Sequence, residues 1–194
     1  FYFVIILGQN EWFRPWLFRA NSTTTFSLAL SVIFFYSIPF IFFNFNKLKL
    51  CIFDPKIIFF SIIYLFFLLL NFNFELPYSG GFFYKVSNIL FSNNYFFYFF
   101  SFWSFYFFLI IFKNFTVKKY FFLDLVLLAL LIFMEIDGII YHESYDPLFY
   151  ILSFILIKNT FYSDVIKNLS INSISYFYLF GFSFFTISVI KTYI

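Results

Sequence analysis

Residues 95–112 read YFFYFFSFWSFYFFLIIF, an aromatic and aliphatic run without a charged side chain. A helix of about 20 residues with a 1.5 Å rise per residue crosses a hydrocarbon layer about 30 Å thick. The run is apolar throughout, whereas a membrane β-strand alternates apolar and polar positions over about ten residues. It therefore predicts a transmembrane helix.

Runs of the same kind recur along the chain, in which 63% of the 194 residues are hydrophobic and 11% are charged. So few charges could not cover the surface of a soluble domain. We therefore predict an all-α integral membrane helical bundle of about six transmembrane helices. The predicted spans are 26–45, 57–74, 95–113, 120–138, 140–158 and 173–191.

Two other segments complete the predicted organisation. Residues 1–20 combine apolar side chains with Trp12, Trp16 and Arg19, a mixture typical of a membrane interface, and precede a transmembrane domain over 21–194. The longest connection, 75–94, contains Pro77, Gly80 and Gly81 beside serine and asparagine pairs, and this chemistry predicts turns.

Lysines are concentrated in alternate connections. The first, third and fifth connections contain Lys47, Lys49, Lys56, Lys113, Lys118, Lys119, Lys158 and Lys167 against Asp54 and Asp164. Alternate connections of a six-helix bundle share one side of the membrane, which the positive-inside rule makes basic. We therefore predict that these connections share one side and that both termini lie on the other.

Composition also indicates a cellular setting and excludes several kinds of site. Phe occurs 42 times and Tyr 16 times, and their A+T-rich codons suggest an A+T-rich organellar genome, with the lysine-rich connections in the matrix or cytoplasm and the termini on the outer side. The single cysteine, Cys51, and the single histidine, His142, exclude an intrachain disulfide, a zinc site and an iron–sulfur site. We predict no cofactor, no metal and, at a dispersed net charge of +3, no nucleic-acid partner.

Acidic side chains enter the predicted fourth helix. Asp124 and Glu135 are eleven residues apart, about three helical turns, which puts them on one face about 16 Å from each other. Acids inside a membrane usually mark an ion path or a helix contact, so both are candidates for a proton path. The alternative is that each lies at a helix end and reaches the headgroups.

A second group of candidates surrounds the start of the predicted fifth helix: His142, Glu143 and Asp146, just before Pro147. If the helix opens at Pro147, Asp146 is its N-cap and Glu143 lies in a wet loop. If the helix runs from about Gly138, Glu143 is an intramembrane acid that could hold or pass a proton.

Several short stretches carry a family resemblance. Residues 90–98, LFSNNYFFY, have an Asn-rich opening followed by Phe and Tyr, and Glu143 is followed six residues later by Phe149-Tyr150-Ile151. The first stretch resembles the start of the third helix, and the second the fifth-helix glutamate pattern, of NADH dehydrogenase subunit 2. That family is the antiporter-like membrane-arm subunit of respiratory complex I. Ser175-Tyr176 with Gly181-Phe182-Ser183 looks like the next helix, and residues 21–30 fit the first helix loosely.

The resemblance implies a multi-pass subunit of the mitochondrial inner membrane with both termini on the intermembrane-space side. Such a subunit contributes helices to an antiporter-like proton-translocation module and touches neither NADH nor quinone. It places Glu143 at the key fifth-helix glutamate, whereas Ser175 stands where the family usually has a lysine. Its partners would be the bilayer, other membrane subunits of complex I and a separate chain carrying the rest of subunit 2. Split genes of that kind would suit an A+T-rich mitochondrial genome such as a ciliate's.

Two other functions remain open at the level of sequence. Residues 21–30 also resemble a helix of the proton-channel subunit a of ATP synthase, but that subunit needs an arginine facing its rotor ring and none occurs after Arg19. The other alternative is a lineage-specific structural subunit of a respiratory complex, which would fill space in the membrane without chemistry of its own.

Overall fold

The computed structural model describes residues 22–49, 53–74, 80–133, 148–168 and 170–193, and these residues form helices without any named strand. The helices are α1 (Ser22–Phe43), α2 (Phe45–Lys49), α3 (Pro55–Asn71), α4 (Gly81–Phe91), α5 (Tyr95–Asn114), α6 (Phe121–Phe133), α7 (Thr160–Lys167) and α8 (Ile171–Tyr193). A 3₁₀ turn, Lys118–Tyr120, precedes α6, and a π-helical turn, Leu152–Leu156, follows helical residues 148–151.

The all-α prediction is confirmed for these residues, and the bounds of α1, α3, α5 and α8 lie close to four predicted spans. Two helical segments, Thr23–Phe43 and Tyr95–Asn114, are long and apolar enough to cross a membrane, whereas Pro55–Asn71 is apolar but shorter. Six crossings stay a prediction. Residues 134–147, the end of the fourth predicted span and the start of the fifth, lie outside the described residues, as does the predicted interfacial segment 1–20.

The prediction of turns over 75–94 is wrong for its second half, which forms α4. The turn-forming residues flank this helix: Gly80 has a φ of 93° at the N-cap, and Ser92 has a φ of 51° at the C-cap. The residues between them are mostly apolar and pack on the bundle. The Phe83 ring stacks on the Phe100 ring at 4.2 Å, and the Phe82 ring lies 4.7 Å from that of Phe35.

Helix α1 forms the centre of the bundle and contacts every other helix named above. Leu28, Val32 and Phe40 along it are fully buried. Small residues among them let neighbouring helices approach closely. The hydroxyls of Ser27, Ser31 and Ser37 are satisfied by carbonyls of α1 itself, so burying them leaves no donor unpaired: they donate to Thr24, Leu28 and Ile33 at 2.9, 2.7 and 2.8 Å.

The predicted lysine-rich connections meet at one end of the bundle. Lys47 forms an ion pair with Asp164, and Lys113 forms one with Asp54. These pairs join the first connection to the fifth and the third. We call the end formed by residues 44–49, 53–56, 113–120 and 157–168 the lysine end. The first, third and fifth connections thus lie at one end of the described bundle. The crossings that would put them on one side of a membrane stay a prediction, as does the side that they occupy.

Candidate functional site

Asp124 is an acidic side chain buried in the first turn of the apolar helix α6. The residue is 1% exposed, and its Oδ1 accepts a 2.9 Å hydrogen bond from the main-chain N–H of Lys158. Its Oδ2 is also buried and has no hydrogen-bond partner. The positive end of the α6 dipole favours a carboxylate here, but an uncompensated buried oxygen remains costly.

The segment opposite Asp124 explains why the Lys158 N–H is available. The π-helical turn ends with the Ile157 N–H donating to the Leu152 carbonyl at 2.8 Å, and Ile157 is extended. The next N–H, that of Lys158, has therefore left the helix, and Asp124 accepts it. Ser153, within the same turn, has a buried hydroxyl without a partner. Short π-helical segments occur frequently at functional sites.

Asn159 fixes the chain just after this contact. Its Oδ1 caps α7 by accepting the Phe161 N–H at 2.8 Å, and its Nδ2 donates to the Thr116 Oγ1 at 3.1 Å. The N–H and Oγ1 of Thr160 both donate to the Phe115 carbonyl, at 3.0 and 2.9 Å. The polypeptide that faces Asp124 is therefore tied to the end of α5.

Helix α1 holds the same segment from the other side. The Asn44 Nδ2 donates to the Phe161 carbonyl at 2.8 Å, and the Tyr162 hydroxyl lies 3.1 Å from the Ser37 Oγ. Because the Ser37 hydroxyl donates to the Ile33 carbonyl, Tyr162 is the donor in this pair. Phe161 and Tyr162 are buried. Asp124 thus faces a segment anchored on two sides.

This arrangement suits the uptake and release of a proton. One carboxyl oxygen is held by a main-chain donor, and the other is buried and uncommitted, so the group can carry a proton without losing its anchor. Among the described residues, the Lys158 ammonium forms no direct ion pair with Asp124, and its Nζ lies 3.5 Å from the Ile155 carbonyl. Within the described ranges no three His, Cys, Asp or Glu side chains gather as metal ligands.

The structure describes one of the five predicted proton-path residues. Asp124 lies in the first turn of α6 and its side chain is buried, directed to the Lys158 N–H. The choice between a proton path and a position at the headgroups stays a prediction. Glu135, His142, Glu143 and Asp146 lie outside the described residues. The face shared by Asp124 and Glu135, and the choice between a wet and an intramembrane Glu143, stay predictions.

The stretches that carried the family resemblance have definite positions. Phe149 is fully buried, with its ring 5.8 Å from that of Tyr36, and Tyr150 stacks on Phe40 at 6.4 Å. Phe149 and Tyr150 therefore pack on α1. Ser175, where the family usually has a lysine, donates to the Ile171 carbonyl of its own helix at 2.6 Å.

Sequence reasoning missed the neutral polar residues of the site. Asn44, Ser153, Asn159 and Tyr162 stand among apolar residues, and their types alone do not distinguish a buried hydrogen bond from an exposed one. Asn159 carried a signal, because an asparagine before an apolar helical stretch is a typical N-cap.

Fold and site together define a helical protein with two candidate membrane-spanning helices and a buried carboxyl where α6 meets the start of α7. Neither a family model, nor a curated protein, nor a solved structure matches the chain.

Proposed function

We propose that this chain is a membrane-arm subunit of mitochondrial respiratory complex I and contributes helices to an antiporter-like proton-translocation module related to subunit 2. The observation that carries the proposal is Asp124, a buried carboxyl with one uncommitted oxygen on an otherwise apolar helix. An ionisable group in that position is usually part of an ion or proton path.

The mechanism assigned to Asp124 is the transient binding of a proton. In the ionised form, the main-chain N–H of Lys158 and the α6 dipole stabilise the carboxylate. In the protonated form, Oδ2–H becomes a donor inside the bundle while Oδ1 keeps its bond to Lys158. Because the anchor is a main-chain group, the carboxyl can change charge without a rearrangement of α7.

The residue pattern supports the choice of family. Phe149-Tyr150, which follows Glu143 at the family's spacing, packs on the central helix α1. Glu143 would then be the second acid of the path, at the position where the family has its key glutamate. This role comes from the resemblance, whereas the role of Asp124 comes from its burial.

The outer surface supports assembly with further membrane components. Phe66 and Leu70 on α3 are 65% and 69% exposed, and Phe182 on α8 is 70% exposed. Apolar faces of this size need lipid or other helices around them. We assign these surfaces to the bilayer and to other complex I subunits.

The first test is comigration on a native gel of solubilised membranes. The chain should run with the NADH:ubiquinone reductase activity and with its membrane subunits. Comigration with ATP synthase would overturn the proposal in favour of the subunit a alternative, and comigration with any other complex would also overturn it.

The second test is Asp124→Asn in the assembled complex. An asparagine Oδ1 still accepts the Lys158 N–H, so the complex should assemble, but the amide cannot carry a proton. We expect a lower ratio of protons pumped to electrons transferred. The control is Asp54→Asn at the surface ion pair with Lys113, which should leave the ratio unchanged. A normal ratio and normal abundance for Asp124→Asn would overturn the proton-path role and favour the alternative of a structural subunit without chemistry of its own.

A further inference from the structure

The lysine end has more positive charge than its acids can neutralise. Its two aspartates, Asp54 and Asp164, are each paired with one lysine. Six further lysines at this end are exposed and have no acidic partner among the residues that the structure describes: Lys49, Lys56, Lys118, Lys119, Lys158 and Lys167. The surplus is local, because the described residues outside this end include two lysines, Lys85 and Lys191.

Large aromatic rings stand among these lysines. Phe53, beside Asp54, is 87% exposed, and Phe45, beside the Lys47 turn, is 54% exposed. Tyr120 is 37% exposed, and the Lys119 Nζ lies 5.6 Å from the centre of its ring. Exposed rings beside cations are unfavourable in bulk water, but they suit a headgroup layer, where the ring meets acyl chains and the cation stays hydrated.

We propose that the lysine end binds anionic phospholipids, with lysine ammonium groups on the lipid phosphates and Phe45, Phe53 and Tyr120 in the layer just beneath. Charge complementarity selects this occupant. Zwitterionic headgroups would leave six ammonium groups uncompensated, whereas anionic headgroups neutralise them. Lipid binding requires that the chain lies in a membrane but not that it belongs to complex I. The lipid-binding proposal and the complex I proposal can therefore fail independently.

The size of the effect follows from the attraction of one basic side chain to an anionic surface. That attraction changes the binding constant about fivefold per lysine. Because neighbouring lysines share lipids, we expect the removal of four charges to reduce the preference for anionic lipid by about tenfold or more, rather than by the full product.

The experiment reconstitutes the full chain into lipid discs made from equal amounts of phosphatidylglycerol and phosphatidylcholine. Lipids that remain bound after extraction into detergent are then counted by mass spectrometry. The unsubstituted chain should be enriched in phosphatidylglycerol, and the enrichment should fall as salt rises from about 50 mM to about 500 mM. No enrichment, or enrichment indifferent to salt, overturns the proposal.

Two variants make the test specific to these lysines. Changing Lys49, Lys56, Lys118 and Lys119 together to Gln should remove most of the enrichment, whereas changing the same four to Arg should preserve it. Lys85→Gln on α4 is the control for a lysine outside the lysine end. Unchanged enrichment in the Gln variant, or an equal loss in Lys85→Gln, overturns the proposal. If the Gln variant does not fold, the salt dependence of the unsubstituted chain decides.

Discussion

The two ends of the bundle are held together in different ways. At the lysine end, Asn44 bonds to Phe161 and Lys47 pairs with Asp164, and each pair is 117 residues apart in sequence. The opposite end consists of residues 22–26, 71–74 and 80–97. There Ser87 donates to the Asn93 carbonyl at 2.6 Å across six residues.

The two ends differ in the charge of the groups that bond and in the sequence separation between the bonded residues. In the described residues of the opposite end, Ser87 also accepts the Phe97 N–H at 3.2 Å, and the Thr24 Oγ1 accepts the Asn73 N–H at 3.2 Å. These bonds are neutral and span 10 and 49 residues, fewer than the 117 residues between the partners named at the lysine end. The lysine end instead joins α1 to a segment near the far end of the sequence. Its contacts therefore decide whether the late segment, with Lys158 opposite Asp124, docks at all.

Phe161→Ala should have the largest effect, because it breaks the long-range docking at the lysine end. Phe161 is fully buried, with its ring 5.5 Å from that of Phe107 and 5.3 Å from that of Phe115. Truncating a buried phenylalanine lowers the free energy of unfolding by about 3–5 kcal/mol. The measurement is the unfolding midpoint in detergent, followed by circular dichroism.

The matched control is Phe59→Ala on α3, where the side chain is 61% exposed. We expect its midpoint to stay close to that of the unsubstituted chain. Equal losses in the two variants would mean that docking of the late segment does not depend on the lysine-end core.

Gly80→Ala should have an intermediate effect on stability, confined to the opposite end of the bundle. Gly80 has a φ of 93°, and an added Cβ would lie 2.5 Å from the Tyr84 Cδ1. Strain of this kind typically amounts to about 1–3 kcal/mol. We expect the start of α4 to lose protection in amide hydrogen exchange while α7 keeps its own.

Gly181→Ala on α8 is the control for this change, since a Cβ there meets nothing within 4 Å. It should leave exchange unchanged in α4. Loss of protection in α7 upon Gly80→Ala would show that the two ends are coupled more tightly than their contacts indicate.

Acid should have the smallest effect, on the ion pairs of the lysine end. The hydrogen bond from Lys113 lowers the pKa of Asp54 below its ordinary value of 3.8, and the Lys56 N–H adds to this. Because the folded-state pKa is the lower one, the stabilisation is fully present above the unfolded pKa and disappears as pH falls through the folded pKa. The effect is small, since the Lys113 side chain is 50% exposed and solvent screens the pair.

The measurement is the unfolding midpoint between about pH 6 and about pH 2.5 in the unsubstituted chain and in Asp54→Asn. Asn still caps α3, where the Asp54 Oδ1 accepts the Lys56 N–H at 3.1 Å, so the variant isolates the charge. We expect a decline below about pH 4 that is reduced in the variant. Identical pH curves would mean that the pair contributes nothing to stability.

Much of the helical layout followed from hydropathy alone. The predicted span 95–113 matches Tyr95–Asn114 to within one residue, because polar residues, Asn94 and Asn114, lie at the two ends of a continuous apolar run. The π-helical turn was not predictable, since the i to i+5 bond of Ile157 depends on what packs around it. Helix α4 was missed because glycine and serine at its two ends also favour turns, and the apolar stretch between them is short.

The sequence by itself determined that the chain is built from apolar helices and that its lysines lie in alternate connections, because hydropathy and charge are properties of each segment alone. Only the tertiary structure decided that Asp124 is buried and directed to the Lys158 N–H, 34 residues away. It also decided that Asn44 and Tyr162 are structural contacts. The burial of a polar group is set by partners distant in the chain, and no local pattern of residues contains them.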